Sequence, residues 1–202
     1  MDPHPGLPGG SFGASSWQLP DGAVVRRIEA GDIEALRSWR NSQQYVLRQQ
    51  APLDAEHQAA WFANRVDPSY SVSHPPEILV VVTEDDRAVS YGGLTNIEWI
   101  SHRAELSFLA ATERAEDPEA YAFEFARFLR WVTEYTFSDL GLNRIFTETW
   151  EDRTAHIALL EDAGLRLEGR MLQHVVKDGR PRDALLHGLL RDHYLNREGS
   201  AA

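Results

Sequence analysis

The sequence predicts an α+β domain in which a mixed, mostly antiparallel sheet of about seven strands is flanked by about four helices. Three observations carry this expectation. Residues 103–111 alternate strictly, with Ala104, Leu106, Phe108 and Ala110 on one side and Arg103, Glu105, Ser107 and Leu109 on the other, which is strand periodicity. From Asp117 to Asp139, Ala122, Phe125, Leu129, Val132 and Thr136 recur at helical spacing, so a long helix must lay an apolar stripe on the sheet. Glu77–Thr83 is nearly continuous in β-branched residues, as suits a strand buried on both faces.

In chain order, residues 1–22 are rich in proline and glycine with Phe12 and Trp17 as their large apolar side chains, so an arm is expected there. The domain proper is expected over 23–195, with a tail over 196–202. Val24–Ile28 reads as a short strand, and Asp32 opens a helix with Ile33, Leu36 and either Trp39 or Arg40 facing inward. A second helix starts at Pro52–His57 with Asp54 as its cap, placing His57, Trp61 and Arg65 on one face. Tyr70–Pro76 is a loop because its two prolines force extended backbone.

After the 77–83 strand, Glu84–Arg87 turns the chain into a strand over 88–99, where Gly92 and Gly93 permit a bulge or a close backbone approach. Asp117 can cap the long helix, and Pro118 suits its first position. A strand that runs into such a helix start makes a place for an anion, since free N–H groups and the positive dipole end point into the connection. A strand over 141–150, a short helix over 153–163 and two last strands, 171–177 and 184–190, follow. The last two are joined through Asp178–Gly179, a hairpin signal.

Composition narrows the function classes. The 202 residues suffice for one domain, and 43% hydrophobic with 25% charged residues is ordinary for a globular protein. A net charge of −11 argues against nucleic-acid binding. No apolar run suggests a membrane span or a secretory signal, and a cytoplasmic location is expected. With no cysteine, disulfides, a thiolate nucleophile and cysteine-bound zinc are excluded. The histidines lack a metal-binding spacing, so no metal is expected. Nucleotide-binding glycine motifs are missing too.

The succession of the 103–111 strand, the long helix, the GLNRI strand from Gly141, the short helix ending in LEDAGL at Leu165 and the LEG at 167–169 resembles the GNAT N-acyltransferases. The Trp39-Arg40-Asn41 run, the spacing from His174 to Asp178–Gly179 and the DALLHGLL run from Asp183 extend the likeness to about 24–191. Within that family the chain looks most like the branch that acetylates nucleotide-linked amino sugars or protein N-termini.

The resemblance implies a GNAT-like fold and acetyl-CoA as acyl donor. It implies that the donor's pantetheine arm lies along Leu106, Ser107, Phe108 and Leu109, with the N–H of Phe108 or Leu109 meeting the thioester oxygen. It places the pyrophosphate over 112–120, where this chain departs from the family: Thr112–Asp117 has no glycine and three carboxylates. Either Arg114, Arg127 or Arg153 takes the phosphates, or ordinary coenzyme A binding is lost.

Glu105 stands where relatives carry a base acting through water, or it pairs across strands. The family's tyrosine acid falls on Leu160, so that hydroxyl is missing. His156 can donate a proton to the leaving thiol near neutral pH, or it packs at the helix start. Trp39, Arg40, His57 and Trp61 are the expected acceptor wall, and Tyr91, Tyr121, His102, His174 and His187 stand in reserve. The favoured acceptor is a nucleotide-linked amino sugar; a protein N-terminus, an antibiotic-like amine or a non-catalytic binding module are the alternatives. A homodimer is a further expectation from the family.

Overall fold

Eight strands share one sheet: β1 (Ser16–Gln18), β2 (Val24–Arg27), β3 (Ile78–Glu84), β4 (Arg87–Glu98), β5 (Arg103–Ala110), β6 (Arg144–Trp150), β7 (Arg166–Lys177) and β8 (Arg180–Leu190). The structure is a computed structural model that describes residues 16–177 and 179–198. Spatial order is β1-β2-β3-β4-β5-β6-β8-β7, and each neighbouring pair is antiparallel except β5 and β6. The α+β expectation therefore holds, with one strand more than expected.

The additional strand lies in the stretch expected to be an arm. Trp17 sets its ring edge-on against Trp131 at 5.8 Å and Tyr135 at 5.2 Å, so its burial holds β1 on β2. Residues 1–15, the remainder of that expected arm, lie outside the described residues.

Around the sheet stand α1 (Ile33–Ser42), α2 (Ala55–Trp61), α3 (Asp67–Ser69), α4 (Thr112–Ala115), α5 (Pro118–Glu134), α6 (Thr154–Asp162) and α7 (Arg191–Glu198). Of these, α3 and α4 are single turns, and α7 takes in the first part of the expected tail. Residues 199–202 are outside the described residues.

The long amphipathic helix is α5, capped by Asp117, whose carboxylate accepts from the N–H groups of Glu119 at 2.9 Å and Ala120 at 3.2 Å. Its stripe is buried as the spacing predicts: Phe125 and Phe128 meet Phe108 of β5 at 4.8 and 4.9 Å. Asp54 caps α2 by accepting from the His57 N–H at 2.8 Å.

The glycine pair of β4 serves close approach. A Cβ on Gly92 would fall 2.3 Å from the Ser107 carbonyl oxygen, and one on Gly93, at φ 140°, 2.0 Å from that of Ile78. The β7–β8 hairpin turns at Gly179, φ 71°; Asp178 is outside the described residues. Among the described residues no helix is long and apolar enough to cross a membrane.

Candidate active site

The parallel partners β5 and β6 touch over one short stretch. Arg103, Ala104 and Glu105 face Arg144, Ile145 and Phe146, and the pairing stops there. Beyond it β5 stays bonded to β4 as far as Ala110 and β6 to β8 as far as Trp150. The two strands therefore splay, and beyond Glu105 no β6 residue pairs with β5, whose Ala110 carbonyl accepts from Gln43 Nε2 at 2.9 Å instead. A cavity of about 240 Å³ fills the wedge, lined by Glu105, Leu106, Ser107 and Phe108 on one side and Thr147–Trp150 on the other. It adjoins a larger one of about 1360 Å³, where Leu109, Tyr121, Arg153 and His156 meet residues of the α1–α2 connection and of the β7–β8 hairpin. The backbone stretch expected to receive an acyl donor's arm is thus at the wedge.

Glu105 is buried at its narrow end. One carboxylate oxygen accepts from Asn96 Nδ2 at 2.6 Å, and the other takes the Arg48 guanidinium. The same Arg48 Nη2 reaches Glu148 on β6 at 3.3 Å, whose other oxygen lies 3.5 Å from His174 Nε2. One guanidinium nitrogen therefore spans the gap between the two splayed strands. Glu148 was legible in principle: Glu105 pairs with Phe146, so Glu148, two residues on, lies on the same sheet face. Arg48 comes from a loop without periodicity and gave no sequence signal.

On the opposite side of the wedge stands His156, in the first turn of α6, stacked on Phe125 at 4.3 Å. Its Nδ1 is 2.7 Å from the Tyr121 hydroxyl, which also accepts from Arg153 Nη2 at 2.9 Å. Burial first, then the charges of Arg153 and His187, push the imidazole well below its ordinary range. Burial raises the Tyr121 hydroxyl, with Arg153 opposing. At neutral pH the buried His156 ring is therefore held uncharged. With Arg153 donating to the Tyr121 oxygen, we assign the arrangement in which Tyr121 donates to Nδ1 and the ring proton stands on Nε2.

The expected phosphate region differs in physical detail. The glycine-free stretch folds as α4, and Arg114 turns to Glu84 at 2.6 Å and Glu124 at 3.4 Å. Arg127 is likewise enclosed by Asp21 at 3.2 Å, Glu84 at 2.8 Å and Glu124. Glu124 is fully buried, and burial raises its carboxyl against the pull of Arg127 and Arg114. Neither arginine lines the cavities, and Asp117 already occupies the N–H groups that open α5. Arg114 is thus engaged in ion pairs away from both cavities, whereas Arg153 lines both. For acetyl-CoA the residues fit at the extended arm through the wedge, and the cation at hand for its phosphates is Arg153.

The expected acceptor wall is only partly assembled. Arg40 lines the wedge and donates to the Tyr91 hydroxyl at 2.9 Å, while the Tyr91 ring is buried behind it. Trp39 is sunk in the core, and Trp61 packs on the core's margin. His57 is exposed and its Nδ1 is held by Asp54 at 2.5 Å, because the helix cap recruits it. None of Trp39, His57, Trp61 or Tyr91 lines either cavity. The larger cavity is instead lined there by Gln43–Val46 and Arg48–Gln50 and by His174, Lys177 and Arg182 of the hairpin. Lys177 Nζ fastens the two pieces by donating to the carbonyls of Gln44 at 3.2 Å and Leu47 at 2.5 Å. Among the described residues, no group of three or more His, Asp or Glu is placed to hold a metal ion.

A family model described as an acetyltransferase (GNAT) domain matches residues 25–186. No curated protein matches the chain. Similar solved structures include a chimera of the spermidine N-acetyltransferase SpeG from Vibrio cholerae and hSSAT, 20% identical, TM-score 0.73, the match covering 87% of this chain and 99% of that one. Mutant forms of the spermidine/spermine N-acetyltransferase SpeG from Vibrio cholerae also match at 20% identity and TM-score 0.73, covering 87% and 98%. At that identity the likeness is one of fold.

Proposed function

The chain belongs to the GNAT acetyltransferases, whose domain matches most of its length, and from that premise we propose that the wedge between β5 and β6 transfers an acetyl group from acetyl-CoA to a primary amine of a small polar metabolite. The observation that carries this reading is the early end of the β5–β6 pairing beside a buried carboxylate. An extended thioester arm can add to the free edge of β5 as a strand would, and the N–H of Phe108 or Leu109 then meets the oxyanion. Glu105 takes the ammonium proton through a water and leaves a neutral nucleophile. His156 faces the leaving sulfur. Arg153 answers the donor's phosphates.

For the acceptor, two features bear on the choice. Arg48, Lys177 and Arg182 stand around the larger cavity, on the α1–α2 connection and the hairpin. Such a rim suits an amine that carries anionic groups, and a nucleotide-linked amino sugar is the acceptor proposed. The paired carboxylates Glu105 and Glu148 support a second reading, a polycationic amine, which is also the acceptor class named for the Vibrio cholerae enzymes of the same fold.

The test is release of free coenzyme A thiol from acetyl-CoA in the presence of single amines. The protein has no cysteine and adds no thiol background. Turnover with nucleotide-linked amino sugars above that with spermidine supports the proposal. The reverse order moves the acceptor to polyamines, and no calorimetric binding of acetyl-CoA at millimolar concentration overturns the transfer itself.

A further inference from the structure

We propose that Tyr121 is the source of the proton that reaches the leaving thiolate, delivered through His156, with Arg153 holding the oxygen that gives it up. The proposal rests on the acyl-transfer reading above, and adds to it a residue on a helix other than the one where the family's hydroxyl would stand.

That place belongs to Leu160, an aliphatic side chain with no exposure. The neighbouring titratable group is His156, but a neutral imidazole is a feeble acid by itself. Losing the Nε2 proton would leave an imidazolate in a pocket walled by the Phe125 ring, a buried anion without a partner. The ring can give that proton only if Nδ1 gains another in the same event. Tyr121 is set to supply it: its oxygen is 2.7 Å from Nδ1, and the ring of Tyr121 packs edge-on to Phe108 of the wedge at 6.1 Å. The phenolate left behind is not bare, since the Arg153 guanidinium already donates to that oxygen at 2.9 Å.

The protons balance. At the sulfur, Nε2–H breaks and S–H forms; behind it, the Tyr121 O–H breaks and Nδ1–H forms. His156 is neutral before and after, having exchanged one tautomer for the other. When products leave, Nε2 takes a proton from water in the open cavity and the Nδ1 proton returns to the phenolate. The nitrogen sheds two protons, one as the ammonium before attack and one from the tetrahedral adduct, and both depart through Glu105 and water to solvent, so acid and base stay on opposite sides of the reacting carbon. In this scheme Tyr121 acts through His156 and needs no contact with substrate.

The experiment compares Tyr121→Phe, His156→Phe and the double variant with the unchanged protein. Both substitutions keep an aromatic ring in place, and calorimetry with acetyl-CoA reports whether the site remains formed. Each single variant is expected to lose about 10²-fold or more in kcat, with KM for acetyl-CoA within about threefold. The double variant is expected to lose no more than the worse single, because residues acting in one chain do not contribute independently. A Tyr121→Phe kcat within threefold of the unchanged protein overturns the relay, as does a double-variant loss equal to the product of the single losses. Either result with acetyl-CoA binding and turnover intact in the unchanged protein rejects the relay alone, whereas lack of acetyl-CoA binding there rejects the acyl-transfer reading and the relay with it.

Discussion

Arg48→Ala separates the two acceptor readings by the sign of its effect. In the structure Arg48 Nη2 lies 3.3 Å from Glu148 and bonds Glu105 as well. Coulomb's law gives a gross attraction of about 5 kcal/mol for one such pair at an effective dielectric of about 20. The Arg48 side chain is 54% exposed, so water and side-chain entropy cancel most of that. A net contribution of about 1 kcal/mol or less remains, as for other exposed pairs. The variant is therefore expected to fold, with Tm lowered by about 2–4 °C at most.

The bridge is thus weak enough for an incoming ammonium to displace. If the acceptor carries phosphate, the freed guanidinium moves to it, and Arg48→Ala should raise the acceptor KM about tenfold, the worth of one charge-assisted hydrogen bond of about 1.4 kcal/mol. Steady-state thiol release against acceptor concentration reads this directly. A fall in KM, strongest for spermidine, would refute the reasoning. It would mean that Arg48 competes with a cationic substrate for Glu105 and Glu148 rather than helping to bind an anionic one.

Three further outcomes follow from particular contacts. Glu105→Gln keeps a partner for Asn96 and should leave Tm nearly unchanged while slowing turnover by about 10² or more; an unchanged rate would remove Glu105 from the proton path. Gly92→Ala puts a methyl group 2.3 Å from the Ser107 carbonyl oxygen, which is backbone and can yield only if β4 and β5 part. Denaturant titration should show a loss of about 1–3 kcal/mol, and a loss under 0.5 kcal/mol would show that the strands have slack. For His156 the sign is set by its lowered pKa: well above pH 6.5 both folded and unfolded chains hold it neutral, and as pH falls through 6.5 the unfolded chain binds a proton the buried ring refuses. Stability should then fall with pH by up to about 1.4 kcal/mol per unit. His156→Phe should flatten that part of the pH dependence of the denaturation midpoint, and parallel curves would mean that His156 is not held neutral.

How much of this was legible follows from the range of each interaction. The β5 alternation, the α5 stripe and the Asp54 and Asp117 caps depend on neighbours within a few residues, and they stand where the sequence puts them. The strand over 16–18 was missed because three residues carry no periodicity; its pairing with β2 and the contact of Trp17 with α5 and the turn after it hold it, and that contact spans more than a hundred positions. His57 stands apart from both cavities for the opposite reason, since helical spacing fixed its face while the local cap fixed its side chain. Glu148 needed the β5–β6 register, and Arg48 needed the path of a loop.

The phosphate region shows how these ranges combine. Without glycine, Thr112–Asp117 has ordinary helical preferences and forms a turn, and its one basic side chain finds Glu84 and Glu124 closer than any ligand. A backbone cradle and a free Arg114 are thereby lost together. Donor recognition then shifts towards the free edge of β5, which offers hydrogen bonds without charge, and towards Arg153. Arg153 also holds the Tyr121 hydroxyl, so under the proposed function a single guanidinium would serve both the binding of the donor and the chemistry of its departure. In the family's ordinary arrangement a glycine loop and a helix tyrosine keep those two tasks apart.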